Sequence, residues 1–207
     1  LDDALFFISK DLSNNIFNKH DDLKKVIFHK KLGSLDDKVN RLLILSDHIN
    51  SQCFYSEGKN YKDLVKICKL DLISSMVVEI PKLQGHIGSY YASESGFDKN
   101  IANGIKEHYL PIKTNDPIPK NVDSQIVSIA DKLDTVVGIF LANEKPSGTR
   151  DPLGIRRSTN GILKILLNGE IYVDLQNLIE KSSSLFLKNK KNLTDKKESI
   201  NDCKNFF

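Results

Sequence analysis

The stretch from Asp123 to Phe140, DSQIVSIADKLDTVVGIF, constrains this chain more than any other. Ile126, Ile129, Leu133, Val136, Val137 and Phe140 recur at steps of three and four, the period of a helix with one face buried. Asp131 and Asp134 fall close to that stripe, not opposite it. A carboxylate in such a position either reaches solvent or a neighbouring lysine, or is placed to hold something.

The rest of the chain reads as further helices. Ser34 is a candidate N-cap with Asp37 in the first turn, ahead of a stripe of Leu35, Val39, Leu42, Leu45 and Ile49. From Asn60, one helix is expected to carry Tyr61, Leu64, Cys68, Leu72 and Met76 on a face and to stop before Pro81. Ile101, Ile105 and Tyr109 mark another, ended by Pro111. Pro111, Pro117 and Pro119 predict an extended surface loop that reaches the Asp131 helix. Asp151 followed by Pro152 has the form of an N-cap with proline at the first helical position, opening a helix with Ile155, Thr159, Ile162 and Leu166 inward. Six or more helices without a convincing strand pair predict an all-α fold. Val173, Leu178, Ile179 and Leu185 extend the pattern. From Lys188 lysines outnumber acids and apolar residues thin out, which predicts a solvated connector. The expected division is 1–170 for the helical domain and 171–207 for a terminal helix and basic connector.

Several blocks in one order carry a resemblance: FHKKLGSLDDKVNRL (Phe28 to Leu42), CKLDLISSMVVEIPKLQGHIGSYYA (Cys68 to Ala92), EHYLP (Glu107 to Pro111), ADKLDTVVGIF around Asp131, and TRDPLGIRR (Thr149 to Arg157). Together they resemble the HD-like middle portion of the bacterial glycyl-tRNA synthetase beta subunit family, over roughly Leu1 to Leu167. The resemblance implies an HD-domain-like helical bundle. Metal-dependent HD domains carry a histidine, a His-Asp pair and a final Asp; aligned to that set, this chain has Lys38, Leu70-Asp71 and Asp131. Only Asp71 and Asp131 match, and an ammonium at Lys38 repels a divalent cation, so the resemblance implies a degenerate metal site. No metal and no catalytic residue is expected here. His48 lies too far along its helix to substitute, whereas His86 and His108 belong to other segments that could approach the site.

The same resemblance implies a function. The chain would be an accessory tRNA-binding and assembly domain of a glycine-tRNA ligase whose separate alpha subunit activates glycine with ATP. The implied partners are that alpha subunit and glycine tRNA, with no cofactor bound by this chain, and the implied location is the cytoplasm. Two alternatives remain at this level, a metal-dependent HD phosphohydrolase that has recruited His86 or His108, and a purely structural docking domain. A net charge of +3 permits nucleic-acid binding without requiring it. Lys132, Arg150, Arg156 and Arg157 are the candidate RNA contacts.

Composition sets outer bounds. The 207 residues, 40% hydrophobic and 28% charged, suit one globular domain or at most two. No apolar run approaches the ~20 residues of a membrane span, and neither a membrane nor DNA is an expected partner. Starting at Leu1 without Met, the chain reads as a piece of a larger cytosolic protein. Cys53, Cys68 and Cys203 have neither the number nor the spacing of a disulfide framework or zinc knuckle, which leaves reduced thiols. Gly85-His86-Ile87-Gly88 matches the glycine pattern of a KH loop, but no three-stranded sheet is in sight to carry one.

Overall fold

A computed structural model describes residues 2–53, 58–146, 151, 153–187 and 196–207. In chain order the elements are α1 (Asp2–Ser13), a short antiparallel hairpin of β1 (Ile27–His29) and β2 (Gly33–Ser34), α2 (Leu35–Gln52), α3 (Tyr61–Ile67), α4 (Ser75–Glu79), α5 (His86–Glu94), α6 (Lys99–Glu107), α7 (Val122–Leu141), α8 (Ile155–Asn168), α9 (Leu175–Leu187) and α10 (Lys196–Phe206). The protein is mostly helical. The hairpin is the one pair of strands among the described residues, and the sequence pattern did not predict it.

Helix α7 is the axis of the fold. It packs against α2, α3, α6, α8, α9 and α10, so it is buried nearly all the way round instead of on the single face its periodicity predicts. Polar residues of α7 are consequently carried inside: Asp134 retains 1% of its side-chain exposure and Lys132 is 7% exposed. Each therefore needs a partner, because an unpaired buried charge is far costlier than a buried hydroxyl or amide.

Local chemistry explains most of the boundaries. Helix α2 begins with a capping box: the Ser34 hydroxyl accepts from Asp37 N–H at 3.2 Å and the Asp37 carboxylate accepts from Ser34 N–H at 2.8 Å. The single helix expected from Asn60 to Pro81 is broken into α3, a 3-10 turn at Leu70–Ile73 and α4, with the Ser74 side chain capping α4. Helix α8 starts at Ile155, later than Asp151-Pro152 predicts. Asp151 caps it from outside, accepting from the N–H groups of Ile155 (2.6 Å) and Arg156 (3.1 Å); Pro152 lies outside the described residues. At the C-terminal end, Lys196–Phe206 is a helix where the lysine-rich composition predicts a solvated connector. Cys203 is buried and the Phe206 ring packs at a tilt against Phe140 of α7, enough apolar surface to dock α10. Residues 188–195, also part of that expected connector, lie outside the described residues.

Candidate functional site

Where α7 crosses α2 and the turn after α3, cations and carboxylates meet inside the protein. Helix α2 supplies Lys38 and Arg41, one helical turn apart on the face turned to α7. The Arg41 guanidinium grips Asp134 by two bonds, Nε to Oδ1 at 2.6 Å and Nη2 to Oδ2 at 3.1 Å, donates through Nη1 to the Leu32 carbonyl, and lies over the Phe186 ring. Lys38 Nζ sits between the two α7 acids, 3.1 Å from Asp134 Oδ2 and 3.0 Å from Asp131 Oδ1. It also donates to the Thr135 hydroxyl at 2.8 Å.

A second ammonium approaches Asp131 from the other side. Lys69, just before the 3-10 turn, places Nζ 2.9 Å from Asp131 Oδ2 and 2.8 Å from His108 Nε2. His108 Nδ1 is 2.7 Å from the Ile105 carbonyl, which can only accept; the ring proton is therefore on Nδ1 and Nε2 accepts from Lys69. Burial, reinforced by the Lys69 charge, holds the His108 pKa well below the usual imidazole range, so the ring is neutral. Burial alone would push the Asp131 carboxyl up, but Lys38 and Lys69 outweigh it and hold it well below the ordinary carboxylate range.

Asp71, the other acid singled out by sequence, is turned to a different task. It is fully buried, makes no ion pair among the described residues, and accepts from Gly85 N–H at 2.6 Å. Burial pushes its pKa up. Gly85, at φ +79°, starts α5, and a side chain on Gly88 would meet Asp71 Cβ at 2.8 Å. The glycine pattern of the Gly85–Gly88 string thus belongs to a tight approach of α5 to the Asp71 turn.

This donor set does not fit a divalent cation. Both oxygens of Asp131 face ammonium groups, the nearby imidazole nitrogen accepts from a lysine, and no group of three or more His, Cys, Asp or Glu side chains converges among the described residues. His48 bonds Asn177, and His86 is exposed at the start of α5.

The candidate RNA contacts scatter. Lys132 is a correction to the sequence reading: its ammonium is drawn inward, donating to the carbonyls of His108 (3.3 Å), Tyr109 (3.1 Å) and Leu110 (2.8 Å) and to Ser128 Oγ (2.8 Å), so it does not face a phosphate. Burial pulls its pKa down to about 7. Arg157 is exposed and Arg156 half-buried; among the described residues neither side chain has an ion-pair partner. Arg150 lies outside the described residues.

A cleft of about 640 Å³ opens over this network, with Lys38, Lys69 and Asp131 in its floor and Arg157 on its wall. Against this geometry, comparison with known proteins is decisive. The profile of the family described as glycyl-tRNA synthetase beta subunit matches residues 1–207. Curated proteins named glycine-tRNA ligase beta subunit are similar throughout: that of Rickettsia prowazekii is 40% identical over 189 residues, 90% of this chain and 27% of its own length. Those of Thermodesulfovibrio yellowstonii (40% over 174 residues, 84% and 26%) and Gloeothece citriformis (37% over 209 residues, 100% and 29%) agree. The chain belongs to the glycyl-tRNA synthetase beta subunit family. It spans between a quarter and a third of the length of these relatives.

For this family member, sequence reasoning found Asp131, the neighbouring Asp134 and Lys38, but missed Arg41 and Lys69, which complete the network. No local spacing announces these pairs, since the acid lies 62 residues from Lys69, 93 from Arg41 and 96 from Lys38.

Proposed function

We propose that this chain is the HD-like helical portion of a glycine-tRNA ligase beta subunit, a tRNA-binding and assembly unit in which metal chemistry has been replaced by fixed internal charge. The observation that carries the reading is the placement of Lys38 and Lys69 on Asp131. Ammonium groups stand against the carboxylate that the HD resemblance assigns to a metal, so the scaffold keeps its electrostatic balance without ion-assisted hydrolysis. Asp71 and Asp131 are then the remnant of the HD metal site, holding backbone and lysines instead of a cation.

Glycine activation with ATP belongs in this reading to the alpha subunit, and this chain supports attachment of glycine to tRNA by contacting the RNA backbone. Arg157, exposed and without an ion-pair partner among the described residues, is the contact it favours, with Arg156 beside it. The test uses the intact two-subunit synthetase with Arg156→Ala and Arg157→Ala combined. The expected outcome is weaker tRNA binding with glycine-dependent adenylate formation unchanged. Unchanged tRNA affinity in a folded variant would leave the domain a docking scaffold.

A further inference from the structure

The cleft above the Lys38–Asp131–Lys69 network has features that the proposed RNA-backbone role does not use. Its volume, about 640 Å³, falls within the range of pockets that enclose a single small ligand and is too confined for a duplex. Lys82, Lys106 and Arg157 all border it, all are exposed, and none has an ion-pair partner among the described residues. Among the described residues Asp131 is the only carboxylate in its lining, and it is already held by two ammoniums. The cleft therefore selects for negative charge.

The rest of its lining mixes apolar side chains with His86, Tyr109, Thr135 and Ser158. Leu72, Pro81, Ile112 and Leu153 border it, and Ile112 and Leu153 are 53% and 45% exposed. The Gln84 side chain lies among them with an amide that both donates and accepts. A ligand that uses the three cations together with the apolar side chains and the amide combines an anionic group, such as a phosphate, with a body that is both apolar and hydrogen-bonding. A bare anion leaves the wall uncovered, and an apolar molecule leaves the cations unused.

We propose that this cleft binds one phosphorylated nucleoside, its phosphate held by Lys82, Lys106 and Arg157 and its base set against the Leu72–Pro81 wall beside Gln84. Binding occurs without hydrolysis, because the floor offers lysines where a metal-activated water would be needed. The same chemistry has two sources, a free nucleotide or an unpaired terminal nucleotide of an RNA. The inference shares Arg157 with the RNA-binding reading but does not depend on it.

The test is calorimetric titration of the full-length beta chain, free of alpha subunit, with AMP, adenosine and inorganic phosphate. AMP is expected to bind one to one, at least about tenfold more tightly than either half-molecule, since only it engages the cations and the apolar lining together. Lys82→Ala combined with Lys106→Ala, both exposed positions that leave folding intact, should weaken AMP about tenfold. Lys24→Ala, in an exposed ion pair with Asp21 and outside the lining of the cleft, should not. Displacement of AMP by a single-stranded RNA trinucleotide identifies an RNA end as occupant; AMP binding that the trinucleotide leaves untouched identifies a free nucleotide. Either result supports the site. No saturable AMP binding, equal affinity for AMP and phosphate, or indifference to the Lys82 and Lys106 changes overturns it. Should AMP fail while the arginine variants still weaken tRNA binding, this inference falls and the RNA-binding reading stands.

Discussion

Lys38 shows how one side chain decides what a buried acidic pair can hold. Its ammonium is buried between two carboxylates, and each of those has a further cation, Lys69 for Asp131 and Arg41 for Asp134. Removing one member strands the others. Asp131→Ala leaves Lys69 and Lys38 short of an anion in a buried setting, and is expected to lower unfolding free energy by about 3 kcal/mol, read as a shift in denaturant midpoint at constant m-value. Replacing Asp131 by Asn keeps the shape but removes the charge, and its effect depends on pH. The folded-state pKa of Asp131 lies well below the ordinary value of about 3.9, so its contribution is fully present above that value and is lost as pH falls through the folded pKa. The stability difference between wild type and Asp131→Asn should therefore be largest above about pH 4 and narrow below it. A difference that stays constant down to pH 2 would show that Asp131 titrates alike in the folded and unfolded chain, so that the lysines do not stabilise its charge.

Between neighbouring elements, side-chain to backbone bonds fix what periodicity leaves open. The proline-rich segment after α6 has no ladder of its own, and Lys132 ties its start to α7 through three carbonyls. Lys132→Met should free that segment: hydrogen exchange of amides from Tyr109 to Lys113 is expected to rise, with a global loss of about 1–3 kcal/mol from unpaired carbonyls. Unaltered exchange there would assign the loop's order to its prolines. The α5 junction makes the matching steric case. A methyl group at Gly88 would sit 2.8 Å from Asp71 Cβ and 2.9 Å from Ile105 Cγ2, so Gly88→Ala is expected to cost about 2 kcal/mol in thermal or denaturant unfolding. The legibility of each element follows from where its determinants lie. The Ser34 capping box and the end before Pro81 were readable because every residue involved is a sequence neighbour. The break between α3 and α4, and the burial of α7 on all sides, were not, because they depend on which helices arrive from elsewhere. The same division separates Asp131, visible as an acid beside a stripe, from Lys69, whose role exists only once α7 is packed against the turn after α3.

For the molecule as a whole, the internal charge network and the exposed cations answer different questions, and experiments can separate them. The network accounts for stability and for the expectation that purified protein holds no stoichiometric zinc, iron or manganese, which elemental analysis after dialysis checks; one retained metal per chain would revive the phosphohydrolase alternative. The exposed cations carry the proposed tRNA contact. Consecutive helical positions lie about 100° apart, and in α8 Arg157 is exposed whereas Arg156 is half-buried, so the two should not contribute equally. Arg157→Ala is expected to weaken tRNA binding by the larger factor. It should also make the log-log salt dependence shallower by about 0.7 to 0.9, the signature of one lost phosphate contact, while Arg156→Ala changes the slope little. Lys132→Met supplies the internal control, because its ammonium is committed to carbonyls and its removal should leave the slope as it is. Measuring tRNA affinity of the intact synthetase across a salt series, with circular dichroism for folding, decides the matter. An Arg157→Ala slope equal to wild type moves the RNA contact off this helix, and a Lys132→Met slope shallower than wild type means that the inward geometry of that lysine is not the one tRNA meets.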